Sequence, residues 1–236
     1  TISAATILGS VAISVVSTQY FVSSVTEHYI KDNLDNIVRQ QEQKLGVKFS
    51  KKPKVTFKFD LLNRSLLGTC STTEGIVINK ASRLDFMSPF SFMTPSYAKS
   101  VLYHEYGHHY IRETAERCSI NFSNVKNLNL TQFGVRKLID EGTAEYFERK
   151  TTNNTNTSTG LKWRSLLYSK NLCLNIIIPP SQSFYDEVGY LLVKPLLDRD
   201  VERGVQFLVT NSPNHLQLGN ILQYQMQGLE KITKKN

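Results

Sequence analysis

The alternation of apolar and polar positions divides the chain into a short β-rich stretch followed by a succession of helices. Over residues 27–44, Tyr29, Ile30, Leu34 and Ile37 fall on one side of a helix, and Gly46 follows as its stop. Over 54–62, Val55, Phe57 and Phe59 alternate with Thr56, Lys58 and Asp60, the period of a strand with one wet face. Residues 66–69 and 75–79 read as two more short strands around a Ser/Thr-rich turn. A loop rich in Phe, Met, Ser and Pro covers 84–96. Within it, Thr94-Pro95 offers an N-cap and a first-turn proline for a helix reaching about Thr114. After a loop over 115–130, Thr131 is a candidate cap for a helix over 132–150. An Asn/Thr/Ser-rich loop spans 151–160. Helical patterning returns over 161–172, 184–197, 198–209 and 215–232, and no internal repeat is present. The predicted class is α+β: a small N-terminal sheet packed on a helix, then a mainly helical C-terminal lobe.

The first 26 residues depart from this pattern because they carry no charged side chain. Ile2, Ile7, Leu8, Val11, Ile13, Val15 and Val16 are interrupted by Ser and Thr. Two readings compete: a membrane anchor or signal remnant, or a helix buried in the domain. The expected plan is therefore 1–26 as a separate apolar segment and 27–236 as one domain, with a sheet lobe over about 27–115 and a helical lobe over about 116–236. With the Asn-x-Ser/Thr sequons at Asn63, Asn121, Asn129, Asn153 and Asn156, this inclines the expected location towards membrane-anchored or secreted.

Composition adds limits. At 236 residues and 40% hydrophobic, the chain can bury a core without staples. Its net charge of +8 raises nucleic acid or an anionic membrane as a partner. The lysines cluster only at Lys48, Lys51, Lys52, Lys54 and Lys58 and at Lys231, Lys234 and Lys235, with no nucleic-acid module around them, so solvated lysine is the simpler reading. Cys70, Cys118 and Cys173 form no CxxC pair, which excludes a Cys-rich zinc finger and a disulfide scaffold.

The chemistry lies in His104-Glu105-Tyr106-Gly107-His108. Imidazoles four residues apart share one helix face, about a turn apart, where both can bind one ion. Glu105 follows the first histidine, so its carboxylate can stand beside such an ion without ligating it, the position of a general base for activated water. A catalytic zinc also needs a third protein ligand. The next helix supplies Asp140-Glu141-Gly142-Thr143-Ala144-Glu145-Tyr146-Phe147, in which the small Gly142 and Ala144 allow a close helix approach and so bring Glu141 within reach.

Together these two segments resemble the gluzincin metallopeptidases, whose third ligand is a Glu on the helix after His-Glu-x-x-His, often written Asn-Glu-Gly-x-Ala-Glu-Tyr. The resemblance implies a zincin-like fold, one Zn²⁺ per chain held by His104, His108 and Glu141, and hydrolysis of a peptide or protein substrate with Glu105 as base. It makes Asp140 the counterpart of the family's Asn. It gives Glu145, one turn after Glu141, the role of orienting His104. Residues 184–193 resemble a Tyr-x-x-x-Gly-Tyr-x-x-Val helix, which makes Tyr185, with Tyr190 as the alternative, the candidate for stabilising the oxyanion. It also implies that extended substrate adds to a strand within residues 68–79. The metzincin pattern is absent, since Thr114 stands where its third His would be, and His109 points about 100° away from its neighbour. His215 reads as a surface histidine. Two alternatives remain open: an inactive zincin-fold binding protein anchored at a membrane, and a nucleic-acid-associated protease. Oligomeric state is not legible.

Overall fold

The computed structural model describes residues 4–59, 67–71, 73–80, 93–122, 128–154, 160–167, 169, 172–177 and 181–234, with the side chains of 4–16, 19, 160–163, 173, 177 and 215 set aside. The chain divides into two units, Thr1–Arg39 with Pro53–Glu105 and Gln40–Lys52 with Tyr106–Asn236.

The first unit contains most of helix α1 (Ala4–Leu45), strands β1 (Val55–Lys58), β2 (Gly68–Ser71) and β3 (Gly75–Asn79), and the first turns of α2 (Pro95–Arg117). The sheet order is β1-β3-β2, with β1 parallel and β2 antiparallel to β3. The central strand is the most apolar, and its Ile76 and Ile78 are fully buried. At its start Gly75 adopts φ +77, and the Ile76 N–H donates to the Lys54 carbonyl at 2.8 Å. A Cβ at Gly75 would overlap that carbonyl, so only glycine fits this turn. β1 is shorter than the alternation over 54–62 predicts, and 60–66 lie outside the described residues.

One helix, α1, runs for 42 residues from Ala4 to Leu45 and crosses residue 26 without a break. Gly46, at φ +69, ends it as predicted, and the Gly46 and Val47 N–H groups donate to the Glu42 carbonyl. The Thr26 hydroxyl donates to the Met93 carbonyl at 2.6 Å, Lys80 pairs with Glu27 at 2.8 Å, and Lys99 donates to the Tyr29 hydroxyl at 2.9 Å. Ile30 and Ile37 are buried. From about Ser23 onward, α1 is thus part of the packed unit. Among the described residues no helix is long and apolar enough to cross a membrane.

The second unit holds the rest of α2 and the helices α3 (Leu130–Thr152), α4 (Gly160–Leu167), α5 (Leu172–Ile177), α6 (Gln182–Arg199), α7 (Val201–Thr210), α8 (His215–Leu218) and α9 (Ile221–Thr233). Residues 40–52 belong here rather than with the sheet. Phe49 packs on Tyr106 (ring centroids 4.9 Å), Tyr110 (5.8 Å) and Phe147 (6.5 Å). The buried carboxylate of Glu113 accepts from the Ser50 N–H at 3.1 Å and from the Ser50 hydroxyl. The division between the units falls within α2, after Glu105.

α3 starts two residues earlier than predicted. Asn129, not Thr131, is the N-cap, and it forms a reciprocal capping box with Gln132. α3 packs along α6 through paired glycines, since a Cβ on Gly142 would overlap the Gly189 backbone and one on Gly189 would overlap the Leu138 carbonyl. α6 runs through Pro195 without stopping. Proline has no N–H for the carbonyl four residues back, here Leu191. That carbonyl is served by α9, where the Gln225 amide donates to Leu191 at 3.1 Å and to Leu192 at 3.0 Å. Asp200 then caps α7, accepting from the Arg203 N–H at 3.0 Å.

Replacing Gln225 with Met keeps the volume but leaves the Leu191 carbonyl buried without its side-chain donor. Stability in urea should fall by about 1–3 kcal/mol. An unchanged denaturation midpoint would contradict this account of how α6 passes its proline.

Candidate metal centre

α2 is capped by Thr94, whose hydroxyl accepts from the Tyr97 N–H at 3.3 Å, and Pro95 occupies its first turn as predicted. The helix is unbroken to Arg117, so His104 and His108 keep the one-turn spacing of a shared face.

The approach of α3 to this helix is set by Gly107. A Cβ there would stand 2.5 Å from Ala144 Cα and 3.1 Å from Ala144 N. Of the two small residues expected to admit the close contact, Ala144 meets α2 and Gly142 meets α6. With the backbones this near, Asp140 and Glu141, one turn earlier on α3, come level with His108. His108 Nδ1 lies 2.7 Å from Asp140 Oδ1, and its Nε2 lies 3.5 Å from Glu141 Oε2. A carboxylate can only accept, so this contact assigns the proton to Nδ1 and leaves Nε2 as the ligand atom, directed to the Glu141 side. On the far side of Asp140, Arg112 Nη2 lies 3.7 Å from Oδ2.

Ligand atoms of His104, His108 and Glu141 all lie within 4.8 Å of one another. His108 is buried and the other two are half-buried. Two imidazoles and one carboxylate suit a divalent transition ion with one position left for water or substrate. The donor set therefore fits a metal.

Glu105 is 5% exposed. In the first unit its carboxylate lies against β2, where a Cβ on Gly68 would stand 2.6 Å from Glu105 Oε1 and 2.7 Å from Val101 Cγ1. The absence of a side chain at Gly68 gives the carboxylate its room. A lone glycine opening a short strand carries no sequence signal for such a contact.

Glu145 accepts from Arg149 Nε at 2.5 Å, and Arg149 Nη2 donates to Glu187 at 2.5 Å. The Arg149 guanidinium also lies 4.4 Å from the Tyr190 ring centre. Burial works against its charge, but the bonds to Glu187 and Glu145 outweigh burial and raise its pKa. Atoms of His104, Glu145 and Glu148 form a second group within 4.8 Å, so Glu145 stands near the histidine it was expected to orient. Glu148 and Arg149 were not anticipated, because His104, near Glu148, and Glu187, bonded to Arg149, lie on other helices.

Tyr185 is 4% exposed, and its hydroxyl donates to the Ile176 carbonyl at 3.0 Å. Burial raises its pKa. This is how a core tyrosine is held, and it gives no support to an oxyanion role. Tyr190 is likewise buried, packed near Tyr146 and under Arg149. Both lie on the buried side of α6, where aromatic residues at helical spacing usually serve packing. His109 is bonded through Nε2 to the Lys51 carbonyl at 2.7 Å and stands apart from the ligand groups. Cys70 and Cys118 form no disulfide among the described residues, while the side chains of Cys173 and His215 lie outside them.

No family model, curated protein or solved structure matches the chain.

Removing the Asp140 carboxylate takes away the group that fixes the His108 tautomer. Asp140→Ala should weaken zinc binding about 10- to 100-fold in chelator competition, in line with other partners of metal-bound histidines. An unchanged affinity would mean that His108 needs no orienting carboxylate.

Proposed function

We propose that the chain is a zinc-dependent peptidase of the gluzincin type, with a zincin-like arrangement of sheet and helices. The observation that carries this reading is the gathering of His104, His108 and Glu141 from two helices, with Glu105 adjacent to the first ligand in sequence. A structural metal site would close its coordination with a fourth residue and would have no use for a carboxylate at position 105.

When bound, the zinc would supply Lewis-acid polarisation of a carbonyl and lower the pKa of a water towards about 7. The remaining work falls to the protein. His108 keeps its ligand nitrogen aimed by donating its other N–H to Asp140. Glu105, almost fully buried, accepts the proton of the attacking water and returns it to the leaving amine. Its burial against Gly68 restricts the carboxylate to few orientations, which favours directed proton transfer. β2 pairs with β3 on one side in the described sheet, so an extended peptide could add on its other side, next to Glu105. That arrangement supports a peptide as substrate, bound mainly through its backbone. Neither tyrosine of α6 enters this scheme.

The test is a peptide-library digest with zinc-loaded protein, read by mass spectrometry, beside Glu105→Gln. The parent should cleave. The variant should keep its zinc and lose about 10²- to 10⁴-fold in kcat. Cleavage by the variant at the parent rate would remove Glu105 from the chemistry. No cleavage by a parent that holds one zinc would favour a binding role for the fold.

A further inference from the structure

Asp140 uses one oxygen for His108 and offers the other to Arg112. His108 and Arg112 are one turn apart on α2, and Asp140 and Glu141 are consecutive on α3. The four residues thus form one ladder between two helices: Arg112 Nη2 to Asp140 Oδ2 at 3.7 Å, Asp140 Oδ1 to His108 Nδ1 at 2.7 Å, and His108 Nε2 to Glu141 Oε2 at 3.5 Å. Each rung constrains the next.

We infer that Arg112 is a positioning residue for the metal centre, acting through Asp140 to hold the His108 ligand nitrogen in place. This inference rests on the metal-centre reading above and concerns what that reading leaves open, namely what fixes the carboxylate that fixes the histidine.

Three physical points carry it. First, Asp140 stands between a metal-ligand histidine and a guanidinium, and its own side chain is only 22% exposed. A carboxylate free to rotate there could turn away from His108. Arg112 opposite the second oxygen removes that freedom. Second, Asp140 Oδ1 held 2.7 Å from Nδ1 fixes the ring orientation and tautomer that leave Nε2 as the ligand atom. Third, the Arg112 side chain is also 22% exposed, so its charge is screened less than that of a surface pair but remains accessible enough for substitution without opening a core cavity. The ladder also explains why Asp stands where the resembled family often has Asn. An Asn could accept from Nδ1 just as well, but it would bring no charge for Arg112 to hold.

The test is a double-mutant cycle read by zinc affinity in chelator competition, using Arg112→Gln, Asp140→Asn and the double variant, with Arg112→Lys as the charge-conserving control. The visible absorption of the Co²⁺-loaded proteins reports ligand geometry independently of activity. Thermal melting of the metal-free proteins checks that each one folds. Arg112→Gln should weaken zinc binding about 3- to 10-fold, less than removal of Asp140 itself, since it acts one step further out. Arg112→Lys should recover part of that loss. In the Asp140→Asn background, Arg112→Gln should add almost nothing. Additive losses in the double variant would overturn the inference and leave Arg112 a residue of general structure. An Arg112→Gln variant that binds zinc like the parent would overturn it as well. A parent that binds no zinc is a different result, since it removes the metal-centre reading together with this one.

Discussion

The backbone of α3 reaches α2 at a point where one helix has only a hydrogen to offer. Gly107 lies between the two histidines of the motif in sequence, and a methyl group there would stand 2.5 Å from Ala144 Cα. Because these two positions are small, Asp140 and Glu141 arrive level with His108. A larger residue at either place would move α3 outward, and Glu141 would leave the 4.8 Å group. α3 is held on its other side by the contact of Gly142 with Gly189 of α6. Glu141 is thus brought into the group with His104 and His108 by helix packing on two sides.

Around this contact the unit gathers acids and pairs them. Asp140 faces Arg112, Glu145 and Glu187 share Arg149, and Glu113 is occupied by Ser50. Buried carboxylates without such partners would pick up protons and lose their value as ligands or as tautomer-fixing groups. Arg149 suits its place because a planar guanidinium can bond two carboxylates while stacking on a ring, here Tyr190. The carboxylate of Glu105 lies in the first unit, against Gly68.

Much of this was legible in the sequence where the determining geometry is local. The i, i+4 spacing fixes both histidines on one helix face, and Thr94-Pro95 and Gly46 mark helix ends through their own backbone preferences. The α+β character, with a small sheet before a helical lobe, followed from hydrophobic periodicity alone. The rest depended on partners far away in the chain. The role of Asp140 needed His108, and the glycine at 68 needed Glu105. A helical repeat does not reveal that Tyr185 is buried with its hydroxyl donating to the Ile176 carbonyl. Residues 1–26 stand out by their lack of charge, a change of composition that does not show where α1 begins or ends. Residues 40–52 joined the helical unit because Phe49 finds its aromatic partners there, a tertiary preference with no local sign.

The measurement that bears most directly on this account is the metal content of purified, never-unfolded protein, by elemental analysis, for the parent and for Glu141→Ala. The account predicts about one zinc per chain in the parent and a severe loss in the variant, because one of three ligands is gone. A parent that carries no zinc would contradict the metal centre itself. Zinc retained in full by Glu141→Ala would contradict the claim that packing at Gly107 and Ala144 exists to deliver the third ligand.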